Sequence, residues 1–160
     1  MPVKQTWEER SGDPRAHAYR LFFELSRDIF DVLSRELIDE CELDISWYDV
    51  LLHLIDECPE ERMRMSDLAE AIVITRGGLT KLIDRMVSAG LVERIASSAD
   101  RRTVEVVPTV EGERRFHEAS IVHRRGITNY FIDRITEPEA QVLLGALGRV
   151  MSGLPVPARV

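Results

Sequence analysis

Only two of the 160 residues are cysteine and 6% are aromatic. Two thiols, Cys41 and Cys58, cannot make a disulfide framework, and neither sits at metal-ligand spacing. The four histidines, His17, His53, His117 and His123, are scattered, and none has a second His or a Cys three or four residues away, so no metal site is read. No apolar run approaches the ~20 residues that a membrane-spanning helix needs. The start, MPVKQTWEERSGDPR, is polar and unlike a signal peptide, so a cytoplasmic location with no membrane partner is expected. There is no P-loop, Gly-rich nucleotide turn or Ser-His-Asp order in a suitable setting. Neither an enzyme nor a cofactor is therefore expected. Internal repeats and low-complexity stretches are also missing. What remains is ordinary for a globular chain, 44% hydrophobic, and its length suits one domain or two merged lobes.

The apolar residues recur mostly at helical spacing. Residues 1–13 read as a loose N-terminal arm. Pro14 then opens a long helix to about Glu40, with Tyr19, Phe22, Phe23, Ser26, Ile29, Phe30, Leu33 and Leu37 in one stripe. A helix this long has two readings, a core helix of a monomer or a helix shared with a second subunit. After a connector at Leu43 to Ile45, Ser46 is placed as the cap of a second helix, with Asp49 as its reciprocal partner. Trp47, Tyr48, Val50, Leu51, Leu54 and Ile55 make that helix apolar on more than one face, and it should stop near Cys58-Pro59. Arg64-Met65 read as a very short strand.

Residues 66 to 102, SDLAEAIVITRGGLTKLIDRMVSAGLVERIASSADRR, organise the middle of the chain. Ser66 caps one short helix and Thr75 a second. Leu79, Leu82, Ile83 and Met86 give the second helix a buried face. Gly90 stands where a left-handed residue ends a helix. Leu91, Val92 and Ile95 begin a strand, and Thr103 to Val107 return it around a small, polar, basic tip, Ser97 to Arg102. Helix, turn, helix and hairpin make a winged helix. Thr109 then caps a long helix from Val110 to about Ile132, weakened by Gly112 and Gly126. Thr136-Glu137-Pro138-Glu139 is a reciprocal cap and first-turn proline. It opens a final helix with Ala140, Leu143, Leu144, Leu147, Val150 and Met151 on one face, and residues 153–160 read as a tail.

The expected fold is mainly α with a small three-stranded antiparallel wing sheet, in the order α1-α2-β1-α3-α4-β2-β3-α5-α6. A helical lobe, 14–42 with 110–152, surrounds a winged helix-turn-helix lobe, 43–109. Charge agrees with a nucleic-acid face. The chain carries −7 overall, yet residues 62 to 102 hold eight Lys or Arg against five Asp or Glu. A basic segment in an acidic molecule suggests one DNA face and a repelled back.

The order of motifs resembles the MarR family of bacterial transcriptional regulators. The residues that carry the resemblance are Asp84-Arg85-Met86, Gly90-Leu91-Val92, Asp100-Arg101-Arg102 and Pro108-Thr109-Val110-Glu111-Gly112. Pro108 stands where that family has leucine, which predicts a shortened second wing strand. The resemblance spans roughly residues 19 to 151. It implies a homodimer, formed by interdigitating N- and C-terminal helices, on a pseudo-palindromic double-stranded DNA operator. It also implies a repressor released by a small aromatic or phenolic effector. Two-fold pairing places two recognition helices on adjacent turns of one groove face, about 34 Å apart.

Recognition falls to helix 75–89 and wing 97–102. Arg76 and Thr80 suit base edges and Lys81 a phosphate. Gly77 allows close backbone approach, and Thr75 with the following amides suits a phosphate at the helix N-terminus. Arg85 reads either as a phosphate contact or as a partner of Asp84 or a wing carboxylate. By the resemblance, Arg102 enters the minor groove with Asp100 orienting the turn, and Arg101 is the alternative. The effector is assigned to Phe23, Trp47, Tyr48 and His53, where flat side chains with polar tips suit an aromatic guest. The competing reading is that these four pack the core, with His53 hydrogen-bonded there. Two further functions remain open, a winged-helix protein–protein interaction module and a cysteine-based redox-responsive regulator.

Overall fold

The computed structural model describes residues 12–72, 76–97 and 103–155. Helix α1 runs Pro14–Cys41, with the Asp13 carboxylate accepting from the Arg15 amide at 2.9 Å and proline in its first turn. It stops where Glu42 takes the left-handed conformation, φ 50°, letting the Leu43 amide close on the Leu37 carbonyl at 3.2 Å. Helix α2 spans Ile45–Ile55. Its cap is Asp44 rather than Ser46. The Asp44 carboxylate accepts the Ser46 amide at 2.8 Å and also the Ser46 hydroxyl.

Strand β1, Met63–Arg64, leads directly into α3, Met65–Ala71. Arg64 occupies the cap position without a side-chain bond. Ser66, expected there, lies inside the helix and donates to Asp67 at 3.0 Å. Helix α4 runs Arg76–Ser88. Strands β2, Val92–Ala96, and β3, Val104–Pro108, form the wing with β1. The sheet order is β1-β3-β2, all antiparallel, with Val92 opposite Pro108 and Met63 opposite Val106. Pro108 does not shorten β3. It is the last residue of the strand, beyond the reach of β1, where its missing N–H costs no ladder bond.

Helix α5, Val110–Tyr130, starts on Thr109, whose hydroxyl accepts the Gly112 amide at 3.0 Å. It ends two residues short of expectation, at Tyr130, with Phe131 as its cap before a 3-10 turn at Ile132–Arg134. Helix α6, Glu137–Ser152, opens with the expected cap: the Glu139 carboxylate accepts the Thr136 amide at 2.8 Å.

The core sits where α2, α3, α4, the sheet and the first half of α5 meet. Leu51, Leu54, Leu68, Ile83, Met86 and Val106 are wholly buried there. The C-terminal half of α1 joins it through Leu37. The two glycines of α5 are contact points as well as weak helix formers. A Cβ on Gly112 would lie 2.0 Å from the Leu91 carbonyl oxygen, and one on Gly126 would lie 2.3 Å from the Leu33 side chain. Glycine is what lets α5 pass this close to the wing and to α1. Beside Gly126, the Tyr130 hydroxyl donates to Glu36 and the Arg125 guanidinium pairs with Glu40, tying α5 to α1. Among the described residues, no helix is long and apolar enough to cross a membrane.

Candidate nucleic-acid interface

Helix α4 is divided lengthwise. Leu79, Leu82, Ile83 and Met86 are at most 2% exposed and anchor it in the core. Gly77, Thr80, Lys81, Asp84 and Arg85 lie on the outer surface at spacings of three and four, one stripe of the helix. An added Cβ on Gly77 would meet nothing within 4 Å, so backbone there is open to close approach. Lys81 and Arg85 are exposed cations with no ion pair among the described residues. Of the alternatives for Arg85, pairing with Asp84 is not what is seen. Asp84 pairs instead with Arg94 of β2, Nη1 to Oδ1 at 2.5 Å.

The helix ends on a double bond pattern that requires Gly90. Its amide reaches the Val87 carbonyl at 2.9 Å, and the Leu91 amide reaches Met86 at 3.0 Å, with Gly90 at φ 73°. This is the Schellman stop, in which a left-handed residue satisfies the last carbonyls. It turns the chain straight into β2. The Thr109 hydroxyl donates to the Gly90 carbonyl at 2.6 Å, so the same glycine joins helix α4, the wing and the start of α5. The hairpin closes beyond Ala96 with a Ser97 amide to Thr103 carbonyl bond of 2.9 Å. Thr75, the Arg76 side chain, Asp100, Arg101 and Arg102 lie outside the described residues.

Arg94 was not among the residues the sequence put forward. Its signal was present: Val92 faces the core, and Arg94, two residues on in the same strand, shares that face. A charge on the inward side of a strand asks for a partner.

The four residues assigned to an effector have different surroundings. Tyr48 is 5% exposed, its ring stacked on Phe116 at 5.5 Å and on His123 at 4.7 Å. Trp47 packs on the edge of the core. His53 lies against α2's own carboxylates, Nδ1 2.5 Å from Glu57 and Nε2 3.9 Å from Asp49. Phe23 is 60% exposed. It lies about 21 Å along α1 from Leu37 at 1.5 Å per residue. An open apolar hollow of roughly 480 Å³ lies elsewhere, lined by Ile135, Pro138, Glu139, Val142 and Leu143. Among the described residues no cluster of His, Cys, Asp and Glu could hold a metal ion.

Comparison with known proteins agrees with this architecture. Residues 42–103 match the model of the MarR family. The crystal structure of AbsC, a MarR family transcriptional regulator from Streptomyces coelicolor, superposes with a TM-score of 0.79 at 29% identity, over 94% of this chain and 96% of that one. A second MarR family regulator of Streptomyces coelicolor, solved in complex with DNA, also gives 0.79, at 28% identity over 100% of this chain and 95% of that one. An uncharacterised HTH-type transcriptional regulator of Bacillus cereus is 26% identical over 118 residues, 74% of this chain and 76% of its own length. Family model, relatives and superposition agree on one answer: in sequence over residues 42–103, and in fold over nearly the whole chain, this protein is similar to the MarR family of transcriptional regulators.

Proposed function

We propose that this protein is a repressor that binds a pseudo-palindromic operator as a homodimer, through recognition helix 75–89 and wing 97–102. The observation that carries the reading is the divided surface of α4: a buried apolar face holds the helix, and an unobstructed outer stripe offers Gly77, Thr80, Lys81 and Arg85. That stripe is what major-groove reading and phosphate contact require. Thr75, Arg76, Asp100, Arg101 and Arg102 complete the proposed interface. The similarity to a regulator solved with DNA supports it.

The homodimer is proposed from the outer helices. Residues 14–42 and 110–152 form the dimerisation lobe, and 43–109 the DNA-binding lobe. Tyr19, Phe22, Phe23 and Phe30 on α1, and Val142, Leu144 and Val150 on α6, are each more than half exposed in a single chain. Exposed apolar residues in this number suit an interface. Release by a small aromatic or phenolic effector, with Phe23, Trp47, Tyr48 and His53 as contacts, rests on the family resemblance. Such a ligand would act only through its differential affinity for two spacings of the recognition helices. The redox reading is disfavoured by chemistry: burial and the neighbouring Glu40 raise the Cys41 thiol, opposing the thiolate that a sensor uses.

The test is selection of bound duplexes from a random DNA pool, then a salt titration on the winner. The expected product has two half-sites about 10 base pairs apart, centre to centre. Arg76→Ala and Arg102→Ala should each cost about 1–3 kcal/mol of specific binding with the fold intact. A pool that yields no enriched sequence would point to the protein–protein interaction reading instead.

A further inference from the structure

Arg94 occupies a place where it can act on recognition without touching DNA. It stands on β2 opposite Val106, on the face of the sheet that meets α4. Its Nη1 donates to Asp84 Oδ1 at 2.5 Å, and its Nη2 reaches the Thr80 carbonyl at 3.4 Å. Thr80 and Asp84 are one turn apart on α4, both on the outer stripe. One guanidinium therefore spans two successive turns of the recognition helix and holds them to the root of the wing. The planar fork of arginine can do this; a lysine ammonium offers no such pair of divergent donors.

Two physical consequences follow. The first is geometric. A helix anchored only by Leu79, Leu82, Ile83 and Met86 can still roll slightly about its axis, since apolar contact is non-directional. A bridge from β2 to two turns fixes that roll relative to the wing, and base readout depends on such angles. The second is electrostatic. Asp84 shares its exposed surface with Lys81 and Arg85, where a DNA phosphate would approach. Unpaired, its carboxylate would repel that phosphate. Paired with Arg94, it is locally neutral.

We propose that Arg94, acting through Asp84 and the Thr80 carbonyl, is a positioning residue that sets the angle between recognition helix and wing and thereby DNA specificity. The proposal rests on the DNA-binding reading above. It assigns Arg94 to selectivity between sequences, not to attraction for phosphate.

Four proteins decide it: wild type, Arg94→Gln, Asp84→Asn and the double variant. Each is titrated against a duplex selected by the wild type and against a scrambled duplex of the same composition, across a salt series. Thermal midpoints are measured alongside. Arg94→Gln should lose on the order of tenfold in affinity for the selected duplex, the usual scale of coupling within one ion-pair network. Its affinity for the scrambled duplex should change much less. The salt slope should stay at the wild-type value, because no counterion-releasing contact is lost. The double variant should be no worse than Arg94→Gln alone, since both substitutions remove one interaction. Asp84→Asn breaks the same bridge at an exposed site, so it answers the question even if Arg94→Gln folds poorly.

A salt slope shallower by about one in both Arg94→Gln and the double variant would overturn the proposal and make Arg94 a phosphate contact. Equal losses on selected and scrambled duplexes, tracking the thermal midpoint, would overturn it in favour of a merely structural ion pair. Unchanged affinity for the selected duplex would overturn it outright. If the wild type itself enriches no sequence, the DNA-binding reading fails first, and that outcome is distinct from these three.

Discussion

Phe116 and Phe30 are the same residue type on two long helices, and their surroundings are opposite. Phe116, on α5, is 1% exposed and stacks on Tyr48. Phe30, on α1, is 55% exposed. The contrast extends to whole regions. The apolar residues of the winged lobe, such as Leu51, Leu68, Ile83 and Val106, are closed off by their own chain. Those of α6 are not, and no residue of that helix is buried. A helix with apolar residues on one face and solvent on both sides is an unfinished structure. Residues 43–109 thus close a core together with the C-terminal half of α1 and the first half of α5, while the apolar residues of α6 and of the N-terminal half of α1 stay open.

The largest expected effects test that division directly. Phe116→Ala should cost about 3–5 kcal/mol in denaturant unfolding, because it empties a packed site. The loss should not depend on protein concentration. Phe30→Asp or Leu147→Asp should instead convert a dimer into monomers, by placing an unpaired charge in the proposed interface. Light scattering at micromolar concentration would register a halved mass, with the winged lobe still folded by circular dichroism. A wild-type protein already monomeric under those conditions would end the comparison, and α6 would need another explanation.

A smaller effect is expected at the joint between the regions. Gly112 lies in the first turn of α5, against the Leu91 carbonyl that precedes β2. The group in the way is backbone, so it cannot swing aside as a side chain could. Gly112→Ala gains helix propensity of about 1 kcal/mol but must push α5 off the wing, and overpacking of this kind costs about 1–3 kcal/mol. Net destabilisation in a urea titration is expected. A stabilised Gly112→Ala variant would mean that the joint gives way easily.

Element order, the Gly90 stop and the Thr109 and Thr136 starts were legible because each rests on local chemistry: a period of 3.6, a capping oxygen, a left-handed residue. Errors arose where two local signals compete. Asp44 and Ser46 can both cap α2, and Asp44 does so with Ser46 as its guest. Ser66 suits a cap, yet β1 runs into α3 with no gap, so the cap falls two residues earlier, at Arg64, and the helix begins at Met65. Contacts between distant elements left weaker traces. The reasons for Gly112 and Gly126 lie at Leu91 and Leu33, and one sequence does not reveal which backbone a glycine approaches. The outer stripe of α4 was readable from spacing alone. The Asp84–Arg94 pair was not, because its partners sit on different elements.

The smallest expected effect probes the contact between the regions through pH. His123 on α5 stacks on Tyr48 of α2 at 4.7 Å, with the rings inclined by 30°. Burial, aided by Arg124, holds its pKa below the ordinary histidine value, and Asp49 of α2 only partly opposes this. The unfolded chain therefore takes up a proton more readily than the folded one. Stability from this group is present above the unfolded value, near 6.5, and is lost as pH falls through the window down to the depressed folded value. Asp49 works the other way. Burial raises its pKa, so its contribution is lost as pH rises through that folded value and grows as pH falls. Both groups keep some contact with water, which is why the effect ranks last. His123→Phe keeps a ring against Tyr48 and removes the titration. Between pH 7.5 and pH 5.5 the urea midpoint of the wild type should fall further than that of His123→Phe, and Asp49→Asn should steepen the wild-type fall. Equal falls in wild type and His123→Phe would show that His123 is solvated in the assembled protein and that α5 does not press on α2 as closely as the stacked rings indicate.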